Sequence, residues 1–133
     1  MPDFTELELR LLSELEEAGA EDMLTLLNTV FRMPTYLDDR ADVVRAIKNL
    51  IATGAVVMAS ERDSNKRWRR LDTPDAYAAV QRFDDALVFD DQHGLWQLKL
   101  GTPRSVNANA ITTELGLKAG REVLTQRGYG WWR

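Results

Sequence analysis

The hydrophobic period of this chain changes at Gly54. Before it, Val43, Ile47, Leu50 and Ile51 recur at spacings of four, three and one, the stripe of an amphipathic helix. Asp38 stands where a capping residue belongs, and Gly54 follows the last turn. After it, Ala55-Val56-Val57-Met58-Ala59 is an apolar run too short for a helix, and it reads as a strand. Residues Arg67 to Leu71 read as its partner across the polar turn Glu61-Arg62-Asp63-Ser64-Asn65-Lys66. A helix that runs through Gly directly into a hairpin, with further helices and a second hairpin around it, predicts an α+β fold.

Two helices are expected upstream. Thr5 and Glu8, three apart, carry a capping-box signal. Leu7, Leu11, Leu12, Leu15 and Ala18 form the buried side of this first helix, with Glu14, Glu16 and Glu17 facing water and Gly19 at its stop. A second helix is expected over Glu21 to Arg32, buried through Met23, Leu24, Leu27, Val30 and Phe31 and ended by Pro34. Downstream, Pro74 to Phe83 reads as a helix. A second hairpin follows, Ala86 to Phe89 paired with Leu95 to Leu100 across Asp90-Asp91-Gln92-His93-Gly94. Gly101 to Ala110 reads as a long loop. A last helix is expected over Thr113 to Gln126, with Gly128 at its stop and the aromatic tail Tyr129-Gly130-Trp131-Trp132 behind it. No repeat or Pro/Gly/Ser-rich linker divides residues 1–133, so one domain is expected.

The 133 residues contain no cysteine, which removes disulfides, thiolate metal sites and cysteine nucleophiles. No apolar run approaches the roughly 18 residues of a membrane span, and the first residues lack the basic and apolar regions of a signal peptide, so a cytoplasmic protein with no membrane partner is expected. Net charge is −4, and its distribution is uneven. Residues 1–23 hold eight carboxylates against one arginine, and residues 72–93 hold six against one, whereas residues 54–71 carry +3 and residues 94–133 carry +4. Local basic segments of this kind can act on phosphate within the roughly 8–10 Å screening length of physiological salt.

Catalytic constellations are absent from the pattern. His93 is the single histidine, and with Asp90 and Asp91 in one turn it reads as turn chemistry rather than a metal site. The pairs Asp38-Asp39, Asp84-Asp85 and Asp90-Asp91 point their side chains apart, and Ser13, Ser60, Ser64 and Ser105 have no recognisable base. The expectation is a non-enzymatic protein with no cofactor and no metal.

The order of three helices and a hairpin, together with the segment Asp42 to Val56, resembles the recognition helix and wing of winged helix-turn-helix regulators of the MarR and PadR kind. Thr113-Glu114-Leu115-Gly116 is similar to the Thr-x-x-Gly with which those families often open the helix after the wing. The resemblance implies a DNA-binding transcription regulator whose third helix reads the major groove through Arg40, Arg45, Lys48 and Asn49. Its wing would hold phosphates through Arg62, Lys66, Arg67, Arg69 and Arg70. Strand alternation puts Arg67 and Arg69 on one face and Trp68 and Arg70 on the other. The resemblance also implies pairing into a homodimer through terminal segments, with Trp131 and Trp132 among the candidate contacts. Asp38, Asp39 and Asp42 depart from a DNA-facing pattern. They leave open a second reading, an adaptor or inhibitor that uses the same fold to bind a protein and has no DNA affinity.

Overall fold

A computed structural model describes residues 3–30, 39–62 and 68–132, with side chains over 3–30, 40–60 and 69–132. The elements are α1 (Glu6–Ala18), β1 (Ala20–Asp22), α2 (Met23–Thr29), α3 (Asp39–Ala52), β2 (Val56–Arg62), β3 (Trp68–Arg70), α4 (Thr73–Ala86), β4 (Leu87–Asp90), β5 (Leu95–Leu98), β6 (Asn109–Thr112) and α5 (Glu114–Arg127). A short 3₁₀ turn covers Arg104–Val106. The expected α+β class is observed. No helix among the described residues is long and apolar enough to cross a membrane.

Local chemistry places most helix ends. Thr5 caps α1 by accepting from the Glu8 N–H at 3.2 Å, and its hydroxyl donates to the Glu8 carboxylate at 2.9 Å, closing the expected pair through side chains. Gly19 follows at φ +87°, a backbone conformation that L side chains rarely adopt. Asp72 caps α4 ahead of Pro74, and this helix runs past Phe83 to Ala86. Asp38, Phe31, Arg32 and Pro34 lie outside the described residues.

The second helix differs from its expected span. Ala20–Asp22 forms β1, and α2 starts only at Met23, with Asp22 accepting from the Thr25 N–H at 2.8 Å as its cap. The loop expected over Gly101 to Ala110 is corrected as well, because Asn109 and Ala110 begin β6. This strand lies inside a four-stranded antiparallel sheet of order β1-β6-β2-β3, with Ala110 opposite both Glu21 and Met58. Three residues of β1 and four of β6 carry no alternating apolar signal, so their pairing shows only once the chain has closed on itself.

On the inner face of this sheet, Val56, Met58 and Ala110 join one apolar cluster with Leu11, Leu12 and Leu15 of α1 and Val43, Ile47 and Leu50 of α3. Phe83, Met23, Leu26, Leu27 and Trp96 belong to the same cluster. Glu14, expected to face water, is 4% exposed in the folded chain, so α1 buries more than its leucine stripe.

Two docking devices fix the remaining pieces. A Cβ on Gly116 would stand 2.1 Å from the Ala55 carbonyl oxygen and one on Gly120 would stand 2.8 Å from that of Leu12, so only glycine lets α5 lie so close to α1 and to the entry of β2. Thr113 caps α5, and its hydroxyl donates to the Gly54 carbonyl at 2.6 Å, tying α5 to the exit of α3. The β4–β5 hairpin, a separate two-stranded sheet, docks on α2 through Asn28. The Asn28 amide donates to the Trp96 carbonyl at 2.9 Å and accepts from the Trp96 N–H at 2.8 Å, taking the place of a neighbouring strand.

Candidate nucleic-acid interface

Helix α3 supplies the centre of the candidate interface. At about 100° per residue, its buried residues Val43, Val44, Ala46, Ile47, Leu50 and Ile51 occupy one broad arc. Ala41, Asp42, Arg45, Lys48, Asn49 and Ala52 occupy the other, all exposed except the half-buried Lys48. The buried arc packs against α1, α2, α4 and β2. The open arc carries three of the four expected groove-reading side chains, Arg45, Lys48 and Asn49, with the Arg45 side chain 71% exposed. Its guanidinium lies 3.6 Å from the Asp42 carboxylate one turn earlier.

Arg40 stands apart from those three. It lies within the buried arc, and its Nε donates to the Asp84 carboxylate at 2.5 Å and its Nη2 to the Asp84 backbone carbonyl at 2.9 Å. Its guanidinium also sits 5.9 Å from the centre of the Trp96 ring. Arg40 therefore joins α3 to α4 and to the β4–β5 hairpin instead of extending the open arc. The signal was in the sequence: Arg40 precedes Val43, Val44 and Ile47 by three, four and seven residues, the spacing of one helix face.

The expected hairpin after α3 is present as the antiparallel pair β2–β3, entered directly from α3 through Gly54 at φ +79°. Arg69 pairs with Ser60 and Arg70 with Ala59, which sets the two exposed arginines on opposite faces of an edge strand. Arg62 closes β2 opposite Trp68, with a register irregularity between Ser60 and Arg62. The side chain of Arg62, together with Lys66 and Arg67, lies outside the described residues.

Other sequence candidates resolve into structural roles. Asp90 accepts from the backbone N–H groups of Gln92 and His93 at 3.0 and 3.3 Å and meets the His93 Nδ1 at 2.6 Å. The His93 side-chain contact, ahead of the backbone ones, holds the Asp90 carboxyl below the usual carboxylate range. Among the described residues, no group of three or more His, Asp or Glu is placed to hold a metal ion. The aromatic tail folds onto the chain's own α1: Trp132 is 3% exposed and the Trp131 indole donates to Ser13 at 3.0 Å. Arg127 stacks 4.4 Å from the Trp131 ring centre. The two tryptophans that suggested pairing between copies thus find their cover within one copy, and the aromatic of the tail left largely exposed is Tyr129.

No family model, no curated protein and no solved structure matches this chain.

Proposed function

We propose that this protein binds duplex DNA as a winged helix-turn-helix transcription regulator, with the open arc of α3 in the major groove and the β2–β3 hairpin against the phosphate backbone. The observation that carries this reading is the arc itself. It has no large apolar side chain, and it offers the donors of Arg45 and Lys48 and the amide of Asn49 on a helix braced from behind by three other helices. These are side-chain types suited to base edges and phosphates. The chain order supports it too, because α3 passes in three residues into a hairpin whose edge strand carries Arg69 and Arg70. Arg40 has no part in this version of the interface. Pairing of two copies, which would set two α3 helices on adjacent half-sites, belongs to the same proposal, and light scattering over a concentration series tests it.

Titration with a mixed-sequence duplex at several salt concentrations tests the reading. Binding is expected at low salt and falls log-linearly as salt rises. The double variant Arg45→Ala, Arg69→Ala should flatten that slope by up to about two units, roughly one for each side chain that touches phosphate. Absence of binding by the unaltered protein at low salt would replace this reading with the protein-binding adaptor.

A further inference from the structure

Asp42 is the one group of the open arc that a phosphate-binding surface does not explain. A carboxylate there repels the backbone that Arg45 and Lys48 would attract. Its structural return is small: the pair with Arg45 is long at 3.6 Å, and the two side chains are 54% and 71% exposed. Exposed pairs of this kind contribute little to stability. A second role near the beginning of α3, favourable interaction with the helix dipole, falls off within the first turn.

The geometry points to a base-reading role: resting on the DNA-binding reading above, we propose that Asp42 and Arg45 act as a couple that selects a G·C pair. An Arg guanidinium offers several donors and can engage guanine O6 and N7 together, while a carboxylate can only accept, and the cytosine N4 amino group is the matching donor. Across one G·C pair the major-groove edge runs acceptor, acceptor, donor. Donor-bearing Arg45 and acceptor-bearing Asp42, one helical turn apart on the same arc, match all three groups. An A·T pair supplies only N7 and the N6 amino group, then sets the thymine O4 acceptor and methyl group beside the remaining side chain. The carboxylate thus lowers affinity everywhere and restores it where cytosine N4 donates, which is selection by exclusion.

The test compares binding of poly(dA-dT) and poly(dG-dC) duplexes by the unaltered protein, Asp42→Ala and Asp42→Asn at low salt, with thermal melting of each protein alongside. The unaltered protein is expected to favour poly(dG-dC), and Asp42→Ala should bind poly(dA-dT) more tightly and close the ratio by about tenfold. Asp42→Asn, whose amide both donates and accepts, should move preference toward poly(dA-dT). If the unaltered protein binds both polymers equally, or if both variants strengthen binding to the two polymers alike, Asp42 acts as a repulsive charge only and the selection is overturned while DNA binding stands. A lowered melting temperature with an unchanged ratio assigns Asp42 to the helix dipole and equally overturns it. Failure of the unaltered protein to bind either polymer overturns both readings together.

Discussion

At the scale of single residues, the polar side chains that matter most replace backbone partners. Asn28 satisfies both the N–H and the carbonyl of Trp96 in a part-buried position, where an unpaired backbone group costs about 1–3 kcal/mol. Asn28→Ala should therefore destabilise by roughly 2 kcal/mol or more and release the β4–β5 hairpin first, seen in hydrogen exchange as lost protection of the Lys99 amide, which donates to the Ala86 carbonyl across the hairpin. Retained protection would show that Phe89 and Trp96, packed with ring centres 5.1 Å apart, hold the hairpin without it. Gly116 is the opposite case, a side chain that must be missing. Gly116→Ala sets a methyl group against a backbone carbonyl that cannot move independently, and the expected loss is about 1–3 kcal/mol despite alanine's better helix propensity; a gain in melting temperature would contradict the close approach. Arg40 teaches the residue-scale limit of sequence reading. Its charge suggested the surface, whereas its spacing from Val43, Val44 and Ile47 marked it for the face that α4 covers.

At the scale of elements, the legible parts were those whose signal is local. The capping pair of α1, the stripe of α3, the Gly54 junction and both hairpins follow from neighbours within about two turns of chain, and each is observed close to its expected place. β1 and β6 were not legible, since neither Ala-Glu-Asp nor Asn-Ala-Ile-Thr alternates in polarity and each becomes a strand by meeting the other far along the chain. The β4–β5 turn is an element with its own pH dependence. Asp90 titrates below the ordinary carboxylate range because His93 and two backbone N–H groups stabilise its charged form. Its contribution is therefore complete above the unfolded-state value and is lost as pH falls through the lower folded-state value. On acidification the amide resonances of Gln92 and His93 should shift together in one low-pH step, and His93→Ala should move that step upward toward ordinary aspartate behaviour; an unmoved step would dissociate His93 from the effect.

At the scale of the whole molecule, the charge map and the fold act on different questions. A net charge of −4 would suggest a poor ligand for DNA, yet acidic surface is not spread evenly: Glu6 and Glu16 of α1 are paired with Arg127 and Arg121 of α5, and Asp84 is paired with Arg40. The arc of α3 keeps two cations and an amide around the single carboxylate of Asp42. The salt dependence of duplex binding, and its change in the Arg45 and Arg69 double variant, is the measurement at this scale, because it counts phosphates touched by the assembled surface rather than charges in the chain. Local signals in the sequence determined that α1, α3, α4 and α5 are helical, that Gly19 and Gly128 stop α1 and α5, and that α3 runs into a hairpin, because caps, glycines and hydrophobic period act over a few residues. The start of α2 at Met23 and the end of α4 at Ala86 did not follow from them. Only tertiary structure decided that Arg40 would be taken by Asp84, that the tail would seal α1, and that an unremarkable four-residue stretch would become an inner strand, since those outcomes depend on groups more than 40 positions apart being brought within bonding distance.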